Sequence, residues 1–167
     1  MDIEQGNKEF LNKLEKDNEL RNRRDELVQG QHPETLVITC SDSRVVPELI
    51  FNRSLGDLFV IRTAGNVINE GELATVEYAI EHLKVKRIIV LGHTHCGAVH
   101  AAINNEKGRY LDPILNRIKT NICGVPNELI ATTMNASAEK DYLKEKFPQF
   151  EGTIEYKIYD IETSVVF

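Results

Sequence analysis

The apolar residues of this chain fall into short runs separated by longer amphipathic stretches. Leu36-Val37-Ile38, Leu58-Phe59-Val60-Ile61 and Ile88-Ile89-Val90-Leu91 are brief, mostly β-branched and bounded by turn residues, which predicts buried strands. Thr153 to Ile158 alternates with period two and predicts a late strand. Leu73, Val76, Ile80 and Leu83 recur at steps of three, four and three, which predicts a helix over 70–84. A short helix is expected over 47–52, with Pro47 at its first position and Ser54-Leu55-Gly56-Asp57 as the following turn. Further helices are expected from Ala98 to Asn104, around Leu111 to Ile118 with Pro113 in the first turn, and over 127–146. Residues 2–29 carry a loose stripe of Ile3, Phe10, Leu11, Leu14, Leu20 and Leu27. That stripe predicts one thin helix, either solvated or laid on a partner chain, ending before Gln31-His32-Pro33.

Strands alternating with helices imply an α/β fold, a mostly parallel central sheet flanked by helices, with an N-terminal helical arm over 1–30. No repeat or linker divides the 167 residues, so one domain over 1–167 is expected. The net charge is −6 with no basic block, which argues against nucleic acid and anionic membrane as partners. Apolar runs such as Ile88 to Leu91 stop at four residues, against the roughly 20 that a spanning helix needs. The first residues form no apolar signal region, so a cytoplasmic protein is expected. Three cysteines, Cys40, Cys96 and Cys123, are an odd number for a disulfide framework. In a reducing compartment, cysteines near histidine point to metal ligation or thiol chemistry.

Two polar clusters follow the first and third strands, where an open α/β sheet places its ligand site. They are Cys40-Ser41-Asp42-Ser43-Arg44 and Gly92-His93-Thr94-His95-Cys96-Gly97. Cys40, His93 and Cys96 make a Cys2His set suited to one Zn²⁺ per chain, and three ligands leave a fourth position open, as in catalytic sites. Asp42 and Arg44 lie close enough in sequence to reach that position, the carboxylate to orient a water and the guanidinium to keep it ionised. Cys123 has no ligand-like neighbour and reads as structural. Asn135-Ala136-Ser137 matches a glycosylation acceptor by chance.

Both clusters, extended to Cys40-Ser41-Asp42-Ser43-Arg44-Val45-Val46-Pro47-Glu48 and Gly92-His93-Thr94-His95-Cys96-Gly97-Ala98, resemble the β-class carbonic anhydrases. Gly56 to Arg62, Ala64-Gly65-Asn66, Val76 to Leu83, Gly6 to Phe10 and Tyr159 to Thr163 extend the resemblance over essentially the whole chain. It implies reversible hydration of CO2 to bicarbonate and a proton by zinc-bound hydroxide. Cys40, His93 and Cys96 would hold the zinc, and Asp42 and Arg44 would be the catalytic dyad. It also implies a homodimer or tetramer, with the arm wrapped over the partner and some pocket residues coming from it. Thr63 stands where the family usually has Asn, and the stretch 104–152 is short. One subgroup builds a regulatory bicarbonate pocket with a Trp three residues before the first zinc Cys. That position is Val37 here and the chain has no Trp, so no such pocket is expected.

His95, His100, His82 and His32 are the histidines left as proton-shuttle candidates. Two other readings of the zinc site stand beside the main one. One is hydrolysis of carbonyl sulfide or carbon disulfide on the same fold; the other is a non-catalytic zinc-binding protein. A metal-free reading, with Cys40 or Cys96 as a reactive thiol, predicts activity that survives chelation.

Overall fold

The computed structural model describes residues 2–167. Four strands, β1 (Thr35–Cys40), β2 (Leu58–Thr63), β3 (Arg87–His93) and β4 (Thr153–Tyr159), form one parallel sheet in the order β2-β1-β3-β4. The strands start level, Thr35 lying opposite both Leu58 and Arg87, and Arg87 opposite Thr153. Parallel neighbours need helical crossovers. The first two crossovers carry α3 (Pro47–Ile50) and α4 (Glu70–Glu81). The third carries α5 (Gly97–Ile103), α6 (Asp112–Ile122) and α7 (Glu128–Lys146). The chain leaves β1 toward β2 and then crosses to the opposite side for β3. The topological switch point therefore lies between β1 and β3, and a crevice opens at their carboxyl ends.

The central strands β1 and β3 are apolar throughout because both of their faces are covered. On one face Leu36, Ile38, Ile88 and Val90 meet Val76, Ala79 and Ile80 of α4 and Ala136 and Leu143 of α7. Burial of each such Leu or Ile side chain contributes about 1.5–3 kcal/mol. On the other face Val37, Ile89 and Leu91 lie under Val45, Ile50 and Phe51 and under Tyr159, Ile161 and Val166. That cover is thin, and Leu49 beside it is 79 % exposed. After β4 the chain folds back, and the Ile158 and Phe167 backbones exchange hydrogen bonds of 2.9 and 3.0 Å. This pairing closes part of the sheet edge.

The arm departs from the single helix expected over 2–29. It is α1 (Ile3–Lys16), α2 (Asn18–Glu26) and a 3-10 turn over Leu27–Gln29. Asp17 divides them: its backbone is extended, its N–H donates to the Lys13 carbonyl, and its carboxylate accepts from the Leu20 N–H at 3.0 Å. One acidic residue thus ends one helix and caps the next. Only Leu14 of the apolar stripe is buried. Arg23 ties α2 to the predicted turn, donating to the Leu55 carbonyl at 3.0 Å and to Asp57 at 2.8 Å. Other helix ends shift as well, α3 stopping at Ile50. α4 stops at Glu81, and Lys84 beyond it takes a left-handed conformation. α6 runs on to Ile122, where Cys123 at φ 48° forms the left-handed cap.

Candidate metal centre

Cys40 ends β1 and His93 ends β3, at the switch point. Cys96 follows in the loop as the N-cap residue of α5. The Cys40 and Cys96 sulfurs are 4.0 Å apart. With the His93 ring nitrogen, the three ligand atoms all lie within 4.8 Å of one another. Two thiolates on one tetrahedral zinc, at about 2.3 Å per bond, would stand roughly 3.8 Å apart, so the sulfur separation fits. The His93 ring fits as well. Its Nδ1 lies 2.8 Å from the Thr94 carbonyl, which can only accept, so Nδ1 carries the hydrogen. Nε2 then presents a lone pair, and it is buried with no hydrogen-bond partner. A buried orphan acceptor is costly unless a ligand satisfies it. Among the described residues no fourth His, Cys, Asp or Glu joins this group.

One sulfur–sulfur contact acts on both buried thiols. The Cys96 hydrogen bond pulls the Cys40 thiol well below its ordinary value, against the opposing effect of burial. The Cys96 thiol is pushed up by that same bond, by burial and by the Cys40 charge. The Gly65 N–H also donates to the Cys40 sulfur, at 3.3 Å. Gly65 can do so because its φ is +66°, and a Cβ there would lie 2.8 Å from Ile118 Cδ1.

Asp42 and Arg44 form a fork-to-fork pair on the rim, Nε to Oδ1 at 3.0 Å and Nη2 to Oδ2 at 2.8 Å. The Arg44 backbone N–H adds a third bond to Oδ1 at 2.9 Å. Together these hold the Asp42 carboxyl far below the usual carboxylate range, chiefly through the Arg44 side chain. Arg44 also donates to the His95 carbonyl at 3.2 Å, tying the two polar loops together.

All five residues singled out in the sequence thus lie around the switch point, three in one cluster and two on its rim. Other contributors were not anticipated. Arg62 of β2 straps the first loop, donating to the Asp42 carbonyl at 2.7 Å and the Cys40 carbonyl at 3.3 Å. Thr94 donates to Asp160 at 3.0 Å and accepts from the Ile161 N–H, pinning the second loop to the chain after β4. An arginine ending an apolar strand run beside a polar loop was the available signal for Arg62. The spare histidines His95 and His100 are exposed and engage Glu162 and Glu128, at 2.9 and 2.5 Å. Cys123 is exposed, far from the cluster in sequence, and serves as a helix cap. A cleft of about 620 Å³ lined by Arg23, His32, Arg53 and Lys86 lies at the opposite end of the strands and touches none of the cluster residues.

Residues 35–151 match the family model described as carbonic anhydrase. Over 82 residues the chain is 51 % identical to a carbonic anhydrase of Mycolicibacterium smegmatis, covering 49 % of this chain and 40 % of that protein. Over 101 residues it is 43 % identical to carbonic anhydrase 2 of Mycobacterium tuberculosis, covering 58 % and 49 % of the two chains. The matched region therefore spans less than half the length of these curated relatives. Among solved structures, the β-carbonic anhydrase CcaA superposes with a TM-score of 0.80 at 31 % identity, over 99 % of this chain and 94 % of the other. One of the structures from a study of two tetrameric β-carbonic anhydrases of Sordaria macrospora superposes with a TM-score of 0.80 at 25 % identity, over 99 % and 93 %. Matched in sequence over both polar loops and in fold over nearly its whole length, the chain belongs to the carbonic anhydrase family and has the β-class fold.

Proposed function

We propose that this protein catalyses the reversible hydration of CO2 to bicarbonate and a proton, with one Zn²⁺ held by Cys40, His93 and Cys96. The observation that carries the reading is the convergence of two sulfurs and one orphaned imidazole nitrogen within 4.8 Å, with no fourth protein ligand in the group among the described residues. An open fourth position is what a hydrolytic or hydrating zinc requires and a structural zinc lacks. Zinc in such a site supplies Lewis acidity that brings the ionisation of a water into the neutral range.

The chain's own groups then divide the remaining work. Asp42, ionised and held in place by Arg44, acts as a fixed acceptor on the rim. Its Oδ2 takes one bond from Arg44 while Oδ1 takes two, so Oδ2 keeps the greater capacity to accept from a reacting hydroxyl. Acceptance there orients the hydroxyl's lone pair at the substrate carbon and disfavours bound species that carry no hydrogen at that oxygen. Arg62 and Thr94 hold the two loops at fixed height, which keeps this geometry within the narrow tolerance that catalysis demands.

Self-association completes the reading. α1 displays Ile3 at 83 %, Phe10 at 41 % and Leu11 at 48 % exposure, an apolar stripe that a second copy would cover. A dimer or a pair of dimers fits this, in line with the tetrameric relatives. No described helix is long and apolar enough to cross a membrane. A cytoplasmic setting suits three free thiols.

The test is CO2 hydration by stopped flow with a pH indicator, with zinc measured on the same sample. Activity near one zinc per chain, lost together with the metal in His93→Ala, is the expected result. Zinc without CO2 hydration from neutral to alkaline pH would overturn it, and carbonyl sulfide would be the next substrate assayed.

A further inference from the structure

A buried polar chain runs from the half-buried Arg117 to the metal cluster. Arg117 of α6 makes a fork-to-fork pair with Glu139 of α7, at 2.8 and 3.1 Å. Glu139 is fully buried. Asn121 donates to Glu139 Oε1 at 2.8 Å and to Asn135 Oδ1 at 3.0 Å. Asn135, also fully buried, donates to the Gly65 carbonyl at 2.9 Å. The N–H of that same Gly65 donates to the Cys40 sulfur.

A carboxylate with no solvent access is expensive unless paired, and a hydrophobic pair of similar volume would serve packing as well or better. The reaction does not touch Glu139. What the ion pair achieves is orientation: Glu139 sets the Asn121 amide, Asn121 sets the Asn135 amide, and Asn135 grips the Gly65 carbonyl. Gly65 sits in a left-handed turn, and the grip fixes the direction in which its N–H points.

We propose that Arg117, Glu139, Asn121 and Asn135 are positioning residues that lock the Gly65 amide onto the Cys40 thiolate, and thereby set the metal affinity and ligand field of the site. This rests on the reading of Cys40, His93 and Cys96 as the zinc site. Hydrogen bonds to a ligating atom withdraw charge from it and hold it in place, and their loss typically costs 10- to 100-fold in metal affinity.

The test uses the full chain as Asn135→Leu, which removes the grip on Gly65 while keeping the Arg117–Glu139 pair. Asn121→Leu, at a half-buried position, interrupts the same chain further out. Zinc affinity is read by competition with a chromophoric chelator, and the thiolate-to-metal charge-transfer band by Co²⁺ substitution. A loss of 10- to 100-fold in zinc affinity with a shifted band is expected for Asn135→Leu, and a smaller change of the same sign for Asn121→Leu. A folded Asn135→Leu with native affinity and an unmoved band overturns the proposal. If Asn135→Leu does not fold, native affinity and band in Asn121→Leu overturn it. A role confined to packing would lower the melting temperature without moving the band. Failure of the wild-type chain to bind zinc would instead strike the zinc reading itself.

Discussion

Asp42 owes its depressed pKa chiefly to one neighbour. With Arg44 chelating it, its carboxyl lies far below the ordinary value near 3.9, so it is ionised throughout the neutral and mildly acidic range. Because the folded value is depressed, the stabilisation from this pair is present above the unfolded value and is lost only as pH falls toward the folded one. Arg44→Met should raise the Asp42 pKa toward 3.9. A ¹³C-carboxyl NMR titration reads it, and an unmoved midpoint would show that Arg44 is not what holds it down. Asp42→Asn keeps the shape but loses the anionic acceptor, and CO2 hydration should fall by about 100-fold or more, with zinc content intact. Gly65→Ala places a methyl 2.8 Å from Ile118 and 3.1 Å from Ala98 at a positive φ. It should destabilise by about 1–3 kcal/mol, measured by urea titration.

At the scale of elements, the strands and both ligand loops were legible because their signals are local. An apolar run that ends in Cys or Gly-His, followed at once by polar residues, marks a strand tip without any knowledge of its neighbours. The helices α6 and α7 were legible too, but the polar contact between them was not. Glu139 stands beside Lys140 and Asp141, and in one dimension it reads as part of a solvated face. Only the crossing of α6, which brings Arg117 and Asn121 against it, makes its burial affordable. The break in the arm was missed because Asp17 lies within a charged helical pattern, although Asp17-Asn18-Glu19-Leu20 has the form of an N-cap. Asp17→Ala removes that cap and should cost about 1 kcal/mol in local helix stability, seen as faster amide exchange at Leu20. Unchanged exchange would mean that packing alone holds α2.

On the scale of the whole molecule, the proposed zinc reading sets metal and proton in competition for one site. The Cys96 thiol, pushed up beside the Cys40 sulfur, would have to give up its proton to bind zinc, so zinc retention should weaken steadily as pH falls, read by chelator competition between pH 8 and 5. A flat profile would mean that these sulfurs are not the ligands. The exposed stripe on α1 is a second molecular property, and Phe10→Lys should shift the particle to smaller mass in light scattering if that stripe is an interface. What decides where such an interface can be reached is the single residue between α1 and α2. With 14 residues, α1 is a rod about 21 Å long, and Asp17, at φ −107° and ψ 96°, is its pivot. A difference of about 30° at one of these torsions would place the far tip roughly 10 Å elsewhere. The direction in which α1 leaves α2, and with it the place where its apolar stripe is displayed, is thus written in the two backbone angles of one residue.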